Sequence, residues 1–295
     1  MIICSCVIFI FNDLTAARAN SILTIKKNAA SLSDQGLNRL YPLIDDEMKN
    51  IYLSDQENIY QFPHVKYRIA TVKGQGKFYI DDVNDVIKKC LYKGRIWESS
   101  NQKLIKKYVK PGTVAIDIGS HIGTHTLTMS KSVKPRGTVI AFEPSRKIYY
   151  ELCMNLTLNN CHNVCPVRCA IGKTKGVAQV IESCKGNEGG SYMVEDISGD
   201  NIAALLPLDD FQLTNVSFIK IDVENMELEV LEGAVKTIQG NRPIMLIEIQ
   251  GNKERPLQLN ENSEIMKQRS LDKIIQLDYK IVPIDKSDDY LAFPN

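Results

Sequence analysis

The sequence predicts a doubly wound α/β fold with an open, mostly parallel sheet, and three observations carry that expectation. Short apolar runs alternate with amphipathic segments from Thr113 onward; a glycine-bearing turn follows the first of those runs; and the chain closes on two late strands, "YKIVPID" and "DYLAFP". Strands written as nearly continuous apolar runs are those buried on both faces, which happens when helices pack on either side of a parallel sheet.

Taken in order, residues 1–64 form an N-terminal extension, polar apart from its first stretch and partly helical in pattern, with no recognisable chemistry. It starts with the apolar run "MIICSCVIFIF", and "ARA" (Ala17, Arg18, Ala19) resembles a signal-peptidase site. No basic residue precedes that run, and it is shorter than the roughly 20 apolar residues a bilayer span requires. A cleaved signal, a buried N-terminal strand and a misplaced start codon all fit it, and no transmembrane span is expected. From Val65, "VKYRIATVKGQGKFYID" alternates apolar and polar residues around Gly74 and Gly76, the pattern of a β-hairpin. "DVNDVIKKCL" and "SNQKLIKKYV" follow as short helices and stop at Pro111-Gly112, so 65–110 is a hairpin and helical lead-in to a principal domain over 111–295.

Within that domain the strands are "TVAIDIG", "TVIAFEP", "NVCPVRCAIG", "VSFIKIDVE" and "PIMLIEIQ". Between them, "SRKIYYELCMNLTLNN" places Tyr149, Leu152, Cys153 and Leu156 at helical spacing behind Ser145 as N-cap. In "ENMELEVLEGAVKTIQG" the stripe is Leu228, Leu231, Val235 and Ile238, and Gly240 is expected to end the helix. A further helix falls around "SLDKIIQL".

Composition narrows the function. Lys+Arg number 36 against 35 Asp+Glu, which excludes a polyanion as a general partner; nucleic acid is not expected. Lys103, Lys106, Lys107 and Lys110 cluster locally at a spacing that suits a solvated helix face. The 8 cysteines lack the dense framework of a small secreted domain, so reduced thiols and a cytoplasmic location are expected, with secretion as the alternative that "ARA" leaves open. Cys161, Cys165 and Cys169 with His162 have a spacing that invites a metal or iron–sulfur centre. Pro166 and the alternation Cys165, Val167, Cys169 favour a strand that buries one face instead.

The chemistry concentrates at "VAIDIGSHIGTHT", Val114 to Thr126. In a doubly wound sheet the first strand–helix turn is the usual ligand site, and here Gly119 and Gly123 let backbone approach a ligand while the next helix offers its N-terminal N–H groups. The middle glycine of a dinucleotide fingerprint is missing. The next strand ends in Glu143, 20 residues past Gly123, where a carboxylate can accept from both ribose hydroxyls. His121 and His125 stand at i, i+4, a spacing open to zinc, but no third ligand is evident.

"VAIDIGSHIGTHT", "VIAFEPS", "LNNCHNV", "AIG", "IKIDVENMELEVLEGA" and "RPIMLIEI" together resemble the FkbM-type methyltransferases, a branch of the S-adenosylmethionine-dependent class with a Rossmann-like, seven-stranded sheet. The resemblance runs from "GRIWE" (Gly94 to Glu98) to "DYLAFP". It implies a sheet ending in an antiparallel strand pair, S-adenosylmethionine as cofactor, and O-methylation of a glycan or small secondary metabolite. Residue by residue, it makes Asp117, Gly119 and Gly123 the first cofactor loop, Glu143 the ribose ligand, and Glu98 an acid facing the methionine moiety; "GNEGGS" (Gly186 to Ser191) resembles the family's variable loop near the acceptor. Two positions depart from it: His121 stands where the family has Asn, and Asn225 where it has Gly; His121 is still expected among the cofactor-binding residues, in a neutral hydrogen-bonding role near the methionine moiety.

Methyl transfer to a hydroxyl requires positioning, desolvation and a base for the proton. Asp222 and Glu224 share parity on one strand, so both side chains should face one side while the strand persists, and Glu248 ends the next strand. These three carboxylates are the candidate catalytic residues: Asp222 bordering cofactor and acceptor, Glu224 or Glu248 as base, or the set holding a hard cation such as Mg2+. Two other readings stay open at this level, a nicotinamide-dependent oxidoreductase on a similar sheet and a non-catalytic binding protein that retains the fold.

Overall fold

The computed structural model describes residues 66–181, 192–194, 201–251, 263–284 and 287–295. The apolar N-terminal run, "ARA" and the "GNEGGS" loop lie outside the described residues. The lead-in is an antiparallel hairpin, β1 (Arg68–Val72) and β2 (Gly76–Ile80), followed by α1 (Val86–Tyr92) and α2 (Ser99–Tyr108). Then come β3 (Val114–Ile118), α3 (Thr124–Val133), β4 (Thr138–Phe142), α4 (Arg146–Leu158) and β5 (Val164–Val167). A small insertion supplies β6 (Ala170–Ile171), β7 (Gly176–Ile181), β8 (Tyr192–Val194) and β9 (Ile202–Leu206). The chain ends with β10 (Val216–Ile221), α5 (Glu227–Gly233), α6 (Val235–Asn241), β11 (Ile244–Glu248), α7 (Ser263–Gln276), β12 (Tyr279–Pro283) and β13 (Asp289–Pro294).

Seven strands form one sheet in the order β12-β13-β11-β10-β3-β4-β5. The run from β11 to β5 is parallel, and β13 lies antiparallel to both β11 and β12. Alternate residues of each central strand divide between two cores. Ile116, Ile118, Ile140, Phe142, Ile219, Ile221, Met245 and Ile247 pack on one face with Leu231 of α5, Ile238 of α6 and Ile274 of α7. Ala115, Val139, Ala141, Phe218 and Leu246 face the other way, against the hairpin and α1 to α4. Burial on both faces is why these strands read as unbroken apolar runs. Topology reverses between β3 and β10, which opens a crevice at their carboxyl ends.

The lead-in is fastened to the domain where it matters for the site. Asn155 and Asn159 of α4 accept from the backbone N–H of Tyr79 and Lys77, satisfying the outer edge of β2. Asn155 also donates to the carbonyl of Ile122, and Gln75 and Gln102 both donate to that of Thr124. The turn after β3 is therefore gripped from the hairpin, from α2 and from α4.

Four local expectations are corrected. "NVCPVRCAIG" is not one strand: β5 ends at Val167, and Ala170–Ile171 pairs with β9 in a separate four-stranded sheet, β6-β9-β7-β8, whose other strands the sequence pattern did not announce. Pro166 is tolerated because β5 is an edge strand. The helix after β10 breaks at Ala234 and restarts as α6, because Asp209 accepts from the N–H groups of Lys236 and Thr237 and so caps a second N-terminus. Gly240 lies inside α6, and Arg242 takes the left-handed closing position instead. Ser145 does precede α4, yet its side chain makes no capping bond. Cys165 and Cys169 pack with Val167 on one core face, as small hydrophobes; Cys90, Cys153, Cys161, Cys165 and Cys169 are free thiols. Lys103, Lys106, Lys107 and Lys110 are exposed, as a solvated face requires.

Candidate functional site

A cavity of about 280 Å³ opens at the carboxyl ends of β3, β4, β10 and β11. Its walls include Ile118, Gly119 and His121 after β3, Glu143, Pro144 and Ser145 after β4, Asp222 to Glu224 after β10, and Glu248 and Gln250 after β11. Val86 and Ile87 of α1, Trp97 and Glu98 ahead of α2, and Ala170, Ile171 and Val180 of the small sheet close the remaining sides.

The turn after β3 is shaped by its own hydrogen bonds. Gly119 and Ser120 N–H both donate to the carbonyl of Phe142, Gly123 N–H to that of Ser120, and His121 N–H to Oε2 of Glu143 at 2.9 Å. These four N–H groups are thus taken up by the protein and fix the shape of the turn. The glycines serve the same tight packing: at Gly119 (φ 80) a Cβ would stand 1.8 Å from the Asp222 carbonyl oxygen, and at Gly123 (φ 91) it would stand 2.8 Å from Leu152 Cδ1. Asp117 and Gly123 do not line the cavity. Asp117 is fully buried on β3 behind the wall, its Oδ2 accepting from Thr126 Oγ1 at 2.6 Å, while Oδ1 has no hydrogen-bond partner among the described residues. Burial pushes its carboxyl above the ordinary range, against the pull of Lys220.

Glu143 stands on the cavity wall just after β4. Oε1 accepts from Ser145 N–H and Oε2 from His121 N–H, both at 2.9 Å. Two carboxylate oxygens provide about four acceptor sites, so capacity remains for two further donors. Burial raises its pKa to about 7, and the two N–H bonds oppose that rise. The donor set therefore fits a vicinal diol such as the ribose of S-adenosylmethionine.

On the opposite side stands an ionic cluster. Lys220 of β10 pairs in register with Asp117 of β3 and donates to Oδ2 of Asp222 at 2.8 Å. Its side chain is 4% exposed against 25% for Asp222, so the lysine is sealed and the carboxylate reaches the cleft. Burial works to raise Asp222, but the Lys220 charge and a hydrogen bond from Glu248 hold it well below the ordinary value. Glu248 moves the other way, far above the carboxylate range, through burial and the neighbouring Asp222 charge. The proton affinities of these two carboxyl groups are thus pushed in opposite directions at the ends of adjacent strands, where Ile221 and Ile247 are register partners. Gln250 Nε2 donates to Glu248 at 2.6 Å and steadies it. Glu98 receives Asn101 Nδ2 at 3.1 Å and His125 Nε2 at 3.2 Å, both on Oε2. Burial pushes Glu98 up, and the His125 contact brings it below its ordinary value. His125 is thus a buried partner of Glu98.

The parity argument for Glu224 does not survive. β10 ends at Ile221, and Glu224 (φ 50) and Asn225 (φ 76) both take left-handed backbone, so Glu224 reaches the cavity from a turn. Asn225 occupies a conformation Asn accepts more readily than most residues, and His121 (φ 48) is held in the same region. The Mg2+ reading is likewise corrected: Asp222, Glu224 and Glu248 line one cavity, but among the described residues no group of three or more His, Cys, Asp or Glu is arranged to hold a metal ion, which also leaves the His121/His125 zinc pair and the cysteine run without a site. No described helix is long and apolar enough to cross a membrane. Sequence reasoning missed Trp97, Gln250, and Val86 and Ile87; the signal for Trp97 was its place beside Glu98 in "GRIWE".

The methyltransferase FkbM domain model matches residues 117–277. The hexuronic acid methyltransferase AglP of Haloferax volcanii is 27% identical over 179 residues, 58% of this chain and 70% of that protein. Among solved structures, a methyltransferase FkbM from Methylobacillus flagellatus aligns at 18% identity over 82% of this chain and 60% of its own, with TM-score 0.40. The O-methyltransferase from Bacillus cereus in complex with SAH aligns at 16% identity over 68% of this chain and 82% of its own, with TM-score 0.44.

Proposed function

We propose that this chain, which belongs to the FkbM methyltransferase family and uses S-adenosylmethionine, methylates a hydroxyl oxygen on a glycan or small secondary metabolite. The family assignment displaces the nicotinamide and non-catalytic readings. The observation that carries the O-methylation reading is the Asp222–Glu248 carboxyl pair, opening on the same cavity as Glu143. The relative from Haloferax volcanii, named for hexuronic acid, supports a sugar as acceptor.

When bound, S-adenosylmethionine supplies a methyl group on a cationic sulfur. Glu143 holds the ribose hydroxyls through its two spare acceptor sites, with His121 and Ser145 N–H fixing its orientation. Glu98, anchored by Asn101 and His125, receives the ammonium of the methionine moiety. Asp222 borders cofactor and acceptor and is kept ionised by Lys220. Glu248 in its ionised form takes the acceptor's hydroxyl proton; the adjacent Asp222 charge makes it a stronger base than an isolated carboxylate. It is preferred to Glu224 because it is already hydrogen-bonded to Asp222. Asp117 and Gly123 act from behind the wall and Gly119 within it, all by holding the turn in shape.

Calorimetric titration with S-adenosylhomocysteine and transfer of labelled methyl from S-adenosylmethionine to a panel of glycosides test this reading. Binding and transfer are expected; full transfer rates in both Asp222→Asn and Glu248→Gln variants would remove the catalytic assignment.

A further inference from the structure

The cleft has a charge pattern that bears on which sugars it takes. Of the described residues lining it, Glu98, Glu143, Asp222, Glu224 and Glu248 are carboxylic acids, and none is lysine or arginine. Lys220 stands behind the wall, 4% exposed and already committed to Asp222. His121 is at the ribose end, tied through its N–H to Glu143. Once Glu143 and Glu98 are assigned to the cofactor, with His121 and Ser145 beside Glu143, the remaining polar wall is Asp222, Glu224, Glu248 and Gln250, three of them carboxyl groups that can receive hydroxyl hydrogens. Trp97, the single tryptophan of the chain, adds a flat half-buried face beside them. An aromatic ring with polar neighbours suits the apolar face of a pyranose.

We infer that the acceptor is a sugar unit bearing no acidic group beside the reacting hydroxyl, an inference that rests on the glycan reading above. Among the described residues the wall offers a carboxylate, sulfate or phosphate no lysine or arginine to pair with, and it sets the Asp222 and Glu224 carboxyl groups against it. Glu248 already shows the effect: Asp222 and burial hold its own carboxyl in the neutral form. An incoming uronate would bring a further negative charge into the same field. This separates the chain from its archaeal relative named for hexuronic acid, with which it shares 27% identity.

The test uses the full chain with labelled S-adenosylmethionine and matched methyl glycosides in gluco, galacto and manno configurations. Each is offered as the neutral hexoside, the hexuronide and the methyl ester of that hexuronide. The neutral hexoside is expected to exceed the hexuronide by roughly tenfold or more in kcat/KM, the ester to recover most of the difference, and the gap to narrow as salt is raised. Gln250→Lys, which places a cation on the wall, is expected to raise hexuronide transfer relative to hexoside while S-adenosylhomocysteine affinity reports that the cofactor half is intact. Equal or better transfer to the hexuronide by the unaltered chain overturns the inference and leaves the glycan reading standing. Absence of transfer to every sugar, with S-adenosylhomocysteine still bound, overturns the glycan reading and this inference with it.

Discussion

Two buried ionic clusters in this molecule are built alike and behave differently. In the lead-in, Lys88 of α1 pairs with Asp81 and, at 2.8 Å, with Glu151 of α4; at the cleft, Lys220 pairs with Asp222 beside Glu248. Each places a sealed lysine against two acids and splits their proton affinities. Burial acts against both Asp81 and Asp222, yet the lysines hold them low, whereas burial lifts Glu151 to about 7 and Glu248 higher still. What differs is access. Asp81 and Glu151 are closed in by Lys147 and Tyr67, and neither lines the cavity; Asp222 and Glu248 do. A perturbed carboxyl therefore marks chemistry only where a substrate can reach it, and the same arrangement elsewhere holds two pieces of structure together.

The largest expected effect breaks the comparison on the cleft side. Glu248→Gln should lower kcat by about a hundredfold to ten-thousandfold, the range for a positioned base, with unfolding midpoint little changed. The pH profile supplies the sign. A base whose pKa is raised is ionised in a growing fraction as pH increases, so kcat of the unaltered chain should continue to rise above neutrality, and Glu248→Gln should flatten that rise. A profile already flat from pH 7 upward would deny Glu248 the role.

On the lead-in side the effect should fall on stability. Lys88→Met leaves Asp81 and Glu151 buried with one cation fewer, a loss of about 3 kcal/mol by the measure of broken buried pairs. Denaturant unfolding reads it directly, and kcat of the folded protein should stay within about twofold. A kcat loss as large as that of Glu248→Gln would make the two clusters one functional unit and end the distinction.

How far the sequence revealed this arrangement follows from the range of the interactions. The main sheet was legible because strands buried on both faces are written as apolar runs, and Gly119, Glu143, Asp222 and Glu248 were found because strand ends at a reversal of topology are where ligands sit. The small sheet was not legible: β6 is two residues long and borrows its partner from β9, more than thirty positions on. Nor was the break at Ala234, which depends on Asp209, a residue distant in sequence. Glu224 reaches the cleft by a turn and not by strand parity, because β10 stops at Ile221. Lys220 is one lysine within an apolar run, and only the strand register and its contact place it, sealed, beside Asp117 and Asp222.

A smaller effect belongs to Glu143. Ribose hydroxyls donate to its ionised form, so protonation removes acceptor capacity, and its pKa is raised to about 7 by burial. Affinity for S-adenosylhomocysteine should therefore be greatest above pH 8 and weaken as pH falls through 7, by at most about tenfold per unit. Glu143→Gln should weaken binding about tenfold at pH 8 and remove most of the pH dependence. Unchanged pH dependence in that variant would assign the titration to another group.

The smallest effect concerns His121, one of the two positions at which this chain departs from the pattern it resembles. His121 contributes its N–H to Glu143 and holds φ at 48, and both duties belong to the backbone. Asn enters that left-handed region at least as easily as His, so His121→Asn should keep the turn and the bond to Glu143. S-adenosylhomocysteine affinity is then expected within about twofold of the unaltered chain, or slightly better. A loss beyond tenfold, measured by the same calorimetry, would mean that the imidazole contacts the cofactor. It would also mean that the β3–α3 turn serves as part of the binding surface through a side chain, in addition to shaping it through the backbone.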